Sequence, residues 1–164
     1  MEDVLEYSSD GPVPERITLD VTYTFTEGGK VKNTLYTARA EQFQTPDSAY
    51  NLLSGGFVLT FFDADQQFDG RLTAENGFIR GDNSLMIARD SVVFVNNVGE
   101  TLYTEELIWV QDSAVVYTDK FVTIERTDDI IYGKGMVSDQ NFTNYVIRDV
   151  TGVFYLNEDQ DEDL

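Results

Sequence analysis

Apolar and polar residues alternate along much of this chain with a period of two. In residues 17–25, ITLDVTYTF, every odd position is aliphatic or aromatic and every even position is threonine or aspartate. This alternation is typical of a β-strand with one buried face. Residues 31–43 predict a second strand, and GFVLTFF at 56–62 is apolar on both faces, which predicts a strand covered on both sides.

A strand-sized pattern then recurs along the chain. Its copies are LYTARAEQF at 35–43, RLTAENGFI at 71–79, LMIARDSVV at 85–93, LYTEELIWV at 102–110 and VVYTDKFVTI at 115–124. Aligned on a threonine or its equivalent, Thr73, Ile87, Thr104, Thr118 and Gly133 are separated by 14, 17, 14 and 15 residues. One strand plus one turn occupies this length, so the spacing predicts a long antiparallel meander.

Segments rich in Gly, Asn, Asp and Pro separate the predicted strands. We predict turns at 27–30, 45–48, 63–70, 75–77, 81–83, 96–99, 111–113, 127–129 and 149–152. Residues 49–54 are the one plausible helical stretch, as a short helical or irregular turn. Gly133-Lys134-Gly135 predicts a bulge or a close approach of two backbones. The spacing of the turns favours an all-β domain over an alternation of strands and helices.

The length and composition of the chain indicate one acidic globular domain. Its 164 residues suit a single core, and 13% aromatic residues with three prolines exclude a mainly disordered chain. Thirty acidic and 11 basic residues give a net charge of −19. Because such a surface repels a phosphate backbone, we expect no nucleic-acid partner.

We divide the chain into three parts. Residues 1–16 are an N-terminal lead-in without an anchor or leader, 17–156 are the β domain, and 157–164 are a tail with five acidic residues that we expect to be disordered. No apolar stretch approaches the roughly 20 residues that span a bilayer. The opening residues, MEDVLEYSSDG, are acidic and unlike a signal peptide.

The sequence contains few residues suited to catalysis. It has no histidine and no cysteine, which excludes imidazole bases, thiol nucleophiles and His or Cys metal sites. DADQQFDG at 63–70 lacks the EF-hand spacing and predicts a solvated turn. Glu105 and Glu106 are adjacent on a predicted strand, so they point to opposite faces and cannot pair as catalytic carboxylates. We therefore expect no enzyme activity, no cofactor and no metal.

Several segments, in this order, carry a resemblance to a known family. They are FVLTFFDADQQFDGRLTAENG (57–77), ARDSVVFVNNVGETLYTEELIW (88–109), VYTDKFVTI (116–124) and IYGKGMVSDQNFTNYVIRDVTG (131–152). The most telling order is Asn96, Gly99, LYTEEL at 102–107 and Trp109, then Asp119, Val122 and Ile124, then Gly133, Gly135 and Asp139. Together they resemble the LptC family, the periplasmic component of the bacterial lipopolysaccharide export machine, and look like its Bacteroidetes-type members.

The resemblance implies a twisted, open β-jellyroll that encloses a groove for lipid A acyl chains. It implies a non-enzymatic lipid-transfer protein in the periplasm, whose full-length form is attached to the inner membrane. Such a protein accepts lipopolysaccharide from an inner-membrane ABC transporter. It passes the lipid to a downstream periplasmic β-jellyroll protein through edge-strand pairing. By this analogy, strand 17–25 faces the transporter and segment 145–156 faces the downstream protein.

Alternating apolar residues are the ones that we expect to line the groove. They are Leu19, Val21, Tyr23, Ala38, Phe57, Leu59, Phe61, Leu72, Phe78, Met86, Val93, Val95, Leu107, Val122, Ile124 and Met136. The same residues also fit a closed sandwich core. A β-sandwich carbohydrate-binding or adhesion module, with exposed aromatics on a flat face, is the alternative function, and a carboxylate-based glycosidase comes third.

Overall fold

A computed structural model describes residues 12–156, where the chain forms one ten-stranded antiparallel sheet. The strands are β1 (Arg16–Glu27), β2 (Lys30–Gln44), β3 (Ala49–Phe62), β4 (Phe68–Ala74), β5 (Asn76–Arg80), β6 (Leu85–Asn96), β7 (Thr101–Val110), β8 (Val115–Glu125), β9 (Asp129–Asp139) and β10 (Tyr145–Tyr155). Neighbours along the chain are neighbours in the sheet, and β4 and β5 together lie between β3 and β6. Residues 1–11 of the lead-in and the whole tail, 157–164, lie outside the described residues.

An irregularity interrupts the long strands at one level of the sheet. The register of pairing shifts beside Ala38, between Arg89 and Val92, between Thr104 and Ile108, and between Thr118 and Phe121. Residues with positive φ mark the same line: Asp20, Gly55, Gly56, Asp90, Ser91 and Gly135. Bulges bend a strand locally. Because the bulges are aligned across the strands, they produce a crease in the sheet. The residues of the crease lie within the repeated sequence pattern.

The crease divides the sheet into two limbs that fold toward each other. The first limb contains residues 57–62, 68–74, 92–96, 101–104 and 122–125, and the second contains 49–54, 76–80, 85–89, 107–110, 115–118 and 136–139. The limbs meet where the ring of Phe61 on the first contacts that of Trp109 on the second. Within the described residues β1 and β10 remain the two edges of the sheet. The predicted single open β-jellyroll is confirmed.

Two local predictions were wrong because cross-strand pairing overrides local propensity. Residues 49–54 are not helical; they begin β3, since Leu52 pairs with Glu41 on one side and Phe78 on the other. The predicted turn at 75–77 is a break at the crease, after which the chain continues in the same direction and pairs with the same two strands.

The predicted turn at 149–152 was also wrong, because these residues lie inside β10 at a bulge between Val150 and Gly152. The chain reverses at 140–144 instead. There the carboxylate of Asp139 accepts hydrogen bonds from the backbone N–H groups of Thr143 and Asn144, and the Phe142 side chain is completely buried. Burial of this aromatic ring fixes a turn that lacks glycine and proline.

Other turn and bulge predictions were confirmed, although the turn predicted at 63–70 ends before Phe68, where β4 begins. In the 63–67 turn, Oδ1 of Asp63 accepts hydrogen bonds from the backbone N–H groups of Asp65 and Gln67 at 2.8 and 3.0 Å. Gly133 lies against Ile147 and the Asp149 carbonyl, where a Cβ atom would find no room. The described residues contain no helix capable of crossing a membrane. They also contain no cluster of three or more acidic side chains placed to hold a metal.

Candidate functional site

Rows of apolar side chains fill the space between the two limbs. On the first limb, cross-strand pairing aligns Leu35, Leu59, Leu72, Phe94, Leu102 and Ile124. Each of these side chains is 4% exposed or less. On the second limb, pairing aligns Met86, Trp109, Val116, Ser138 and Tyr145. Apart from the buried Ser138, the residues of the two rows belong to one hydrophobic cluster, so the limbs share a core.

Contacts at the ends of the hairpins close the side of this space opposite the crease, which we call the mouth. The Phe61 and Trp109 rings meet edge to face, with centroids 5.5 Å apart. Nδ2 of Asn96 donates a hydrogen bond of 2.8 Å to the Phe142 carbonyl oxygen. The Phe142 ring packs on Tyr145, with centroids 4.6 Å apart. These contacts join the turn at 140–144 to the first limb.

The enclosed cavity between the limbs is small. A cavity lined by Phe61, Phe94, Trp109 and neighbouring side chains has a free volume of about 10 Å³. One water molecule needs roughly 10–15 Å³ of such volume, so an acyl chain enters only if the limbs separate. Nε1 of Trp109, the only tryptophan in the sequence, is buried and has no hydrogen-bond partner among the described residues.

The inner face is exposed at both ends of the sheet. On β1, Tyr23 pairs with the buried Leu35, which places it on the inner face, yet 39% of its surface is exposed. On β10, Val150 and Val153 pair with inner positions of β9 and are 55% and 42% exposed. The apolar interior therefore reaches solvent beside each edge strand, while its middle is closed.

Comparison with known proteins identifies the family. A family described as "Lipopolysaccharide-assembly, LptC-related" matches residues 15–153. The chain belongs to the LptC family. Proteins of this family are non-enzymatic, periplasmic components of lipopolysaccharide transport. The predicted family, the absence of enzyme activity and the periplasmic location are therefore confirmed at the level of the family. No curated protein matches the chain.

A solved structure supports the fold of this LptC-family chain. It is LptH from Pseudomonas aeruginosa, described as the LptA-homologous periplasmic component of a lipopolysaccharide transport device. The match has a TM-score of 0.51 and 10% sequence identity, and it covers 84% of this chain and 83% of LptH. At this identity the likeness shows that the two chains share the β-jellyroll fold.

The structure brings together many of the sequence-predicted groove residues. Nine are buried in the shared core: Phe57, Leu59, Phe61, Leu72, Met86, Leu107, Val122, Ile124 and Met136. Val21 and Tyr23 lie on the inner face at the exposed β1 end, where they pair with Thr37 and Leu35. Ala38 lies on the crease, beside Gly55.

Four predicted groove residues lie on the outer face instead. They are Leu19, Phe78, Val93 and Val95. Leu19 pairs with Arg39 and is 62% exposed, and Phe78 stacks on Tyr50. On β6 the inner residues are Met86, Ala88, Val92 and Phe94, so the side-chain alternation continues unchanged across the bulge. Val93 and Val95 therefore point outward.

Sequence reasoning missed several residues between the limbs. Phe94, Leu102, Trp109 and Phe142 line the interior but were not among the predicted groove residues. Counting along β6 from Met86 in steps of two residues reaches Val92 and Phe94. The sequence therefore did indicate that these two side chains lie on the same face as Met86. Nothing in the sequence pattern indicated that Phe142, in a turn, reaches across to Phe94.

The guanidinium of Arg126, near the mouth, is already paired. Arg126 binds the carboxylate of Asp129 through two hydrogen bonds of 2.7 Å. The Arg126 guanidinium lowers the pKa of Asp129, against an opposing effect of burial, and Asp129 raises the pKa of Arg126. Burial raises the pKa of the nearby Tyr145 hydroxyl. At neutral pH this pair stays ionised and offers no free cation to an anionic head group.

Proposed function

We propose that this LptC-family protein carries lipopolysaccharide by holding lipid A acyl chains between its two limbs. It accepts the lipid from an inner-membrane ABC transporter and passes it to a downstream β-jellyroll protein. The full-length protein is attached to the inner membrane. The observation that carries the proposal is the exposure of inner apolar side chains at both ends of an otherwise closed apolar interior.

The interior has the chemistry for acyl chains. Each methylene transferred from water to an apolar site contributes about 0.8 kcal/mol, so part of one chain between Leu59, Phe94 and Leu107 supplies substantial affinity. No bond has to be broken, which agrees with a non-enzymatic family. The groove residues are the nine buried side chains together with Val21 and Tyr23.

Loading requires the mouth to open. The contacts of Phe61 with Trp109 and of Asn96 with Phe142 must separate, because about 10 Å³ does not accommodate a hydrocarbon tail. The crease supplies the hinge, since its bulges leave the two limbs joined by irregular backbone. Closure after the lipid leaves would bury the same apolar surface again and keep the empty carrier folded.

The edge strands are suited to joining neighbouring proteins. The outer edges of β1 and β10 present unpaired backbone groups within the described sheet, and such edges are templates for a strand from another chain. Pairing there would place a neighbour's interior beside Tyr23 or beside Val153. We propose that β1 meets the transporter side and β10 the downstream protein.

Site-specific photo-crosslinking tests the carrier proposal. A photoreactive residue at Phe61 or Val122 should crosslink to lipopolysaccharide in membranes that contain the transport machinery. The same residue at Val95, on the outer face of the same limb, is the matched control and should not. Equal crosslinking at Val95, or none at the inner positions, would contradict the proposal. Binding to soluble glycans alone would favour the carbohydrate-binding module.

A further inference from the structure

A continuous band of apolar side chains crosses the outer face of the second limb. Cross-strand pairing aligns Leu52, Phe78, Ile87, Ile108, Tyr117, Val137 and Val146 in one continuous row from β3 to β10. A second row on the loop side adds Leu85, Val110 and Val115, and it also contains Arg80 and Asp139. We call the ten apolar residues of these rows the outer patch. None of them is fully buried, and Val137 and Val146 are 43% and 67% exposed.

The outer face of the first limb provides an internal comparison. Its two rows are Tyr36, Val58, Thr73, Val93, Tyr103, Thr123 and Tyr132, and Thr34, Thr60, Arg71, Val95, Thr101, Glu125 and Ile130. Threonine and charged residues alternate there with apolar ones, as expected for a face in water. Strands of both limbs contain apolar runs, such as VVFV at 92–95 on the first limb and LIWV at 107–110 on the second. The limbs differ in that the row from Leu52 to Val146 on the second limb contains no threonine and no charged residue.

The dimensions of the outer patch suit one α-helix. Strands lie about 4.8 Å apart, so the row from β3 to β10 is about 29 Å long, and the two rows are about 7 Å apart. An α-helix is about 10–12 Å wide with its side chains, and about 19 residues span this length.

Acidic side chains lie along both flanks of the outer patch. On the crease side two of them are paired, Glu106 with Arg89 at 2.9 Å and Asp119 with Arg148, while Asp90 and Glu105 form no ion pair with a described residue. On the loop side, Asp47, Asp82 and Asp112 are exposed and form no ion pair with any described residue. A ligand that lies on the patch therefore meets net negative charge along the loop-side flank, where Arg80 offsets part of it.

We propose that the outer patch docks an amphipathic helix of a protein partner, whose apolar stripe carries lysine or arginine along one flank. A second copy of this chain fits less well. Each copy carries a charge of −19, so two copies repel each other, whereas a basic helix is attracted. The proposal does not depend on the carrier function, because the outer patch and the groove lie on opposite faces of the sheet.

Threonine substitutions provide a charge-neutral test. The triple variant Ile87→Thr, Ile108→Thr, Val137→Thr gives the second limb the outer composition of the first. The matched control is Val58→Thr, Val93→Thr, Val95→Thr on the other limb. The probe is a 19-residue leucine and lysine helix with lysines on one flank, measured by calorimetry. We expect the patch variant to bind at least tenfold more weakly, and the control variant to bind like the parent chain.

Each other outcome overturns the proposal. Equal binding by the two triple variants would show non-specific attraction to an acidic protein, and no binding by the parent chain would remove the site. Equal binding of a leucine and glutamate helix would remove the charge argument. Two further results would assign the patch to another occupant. One is a dimer in sedimentation that the patch variant alone fails to form. The other is binding to phosphatidylcholine vesicles that the patch variant alone loses. If the triple variant does not fold, Ile108→Thr alone, compared with Val93→Thr, replaces it.

Discussion

The turn at 140–144 makes a specific prediction about stability. Phe142 is completely buried, and its ring packs against Phe94 and Tyr145 with centroids 5.5 and 4.6 Å away. Phe142→Ala removes these contacts and leaves a cavity, which costs about 3–5 kcal/mol. Domains of this size have a free energy of unfolding of about 5–15 kcal/mol, so the variant should fold but be much less stable.

Urea unfolding followed by the fluorescence of the single tryptophan measures this loss. With a urea dependence of about 2 kcal/mol per molar, the Phe142→Ala midpoint should fall by about 2 M. Phe154→Ala on β10 is the control, because Phe154 is 59% exposed and on the outer face; its midpoint should stay within about 0.3 M. A Phe142→Ala shift as small as that of the control would refute the role of this ring in joining the limbs.

Three further predictions follow from the packing and the charges. Asp129→Asn should lower the free energy of unfolding by about 1–3 kcal/mol at pH 7. Because the folded pKa of Asp129 lies below its ordinary value of 3.8, this contribution is complete above that value and lost as the pH falls through the folded pKa. Thermal unfolding should then show parent and variant converging as the pH falls below 3.8, and a constant difference would contradict the assignment. Gly133→Ala should destabilise by about 1–3 kcal/mol, because its Cβ would meet Ile147 and the Asp149 carbonyl. Gly152→Ala, whose Cβ has its nearest neighbour at 3.8 Å, should cost far less in the same denaturation assay. Magnesium should strengthen lipopolysaccharide binding by bridging its phosphates to a surface of charge −19, and an affinity indifferent to magnesium would remove that idea.

Much of the fold was predictable from the sequence because strand alternation and turn residues are local signals. The recurring pattern predicted the meander, and it also contains the crease. Ala38, Glu75, Asp90 and Glu105 lie one to three residues after the aligned threonine or its equivalent in their repeats, where the strands bend. The pattern did not reveal the bend itself, since a bulge depends on how two strands pair and not on the residues of one strand.

The closed state of the interior was not predictable from the sequence. Whether Phe61 meets Trp109 or leaves a slot depends on the angle between the limbs, which the contacts of many strands set together. The prediction of a turn at 149–152 was wrong for a related reason. The segment Asp149-Val150-Thr151-Gly152 has the composition of a turn, but pairing with β9 holds it in an extended strand. Sequence periodicity predicts which side chains share a face, and only tertiary packing decides how far apart two faces lie.

Quenching of Trp109 tests the central claim that acyl chains enter between the limbs. This single tryptophan lies at the mouth in contact with Phe61, and its Nε1 is buried. Lipid A with bromine on its acyl chains quenches an indole only at close contact. Brominated lipid A should quench Trp109 fluorescence, and unbrominated lipid A at the same concentration should not. Binding of the brominated lipid without quenching would place the acyl chains elsewhere and contradict the account.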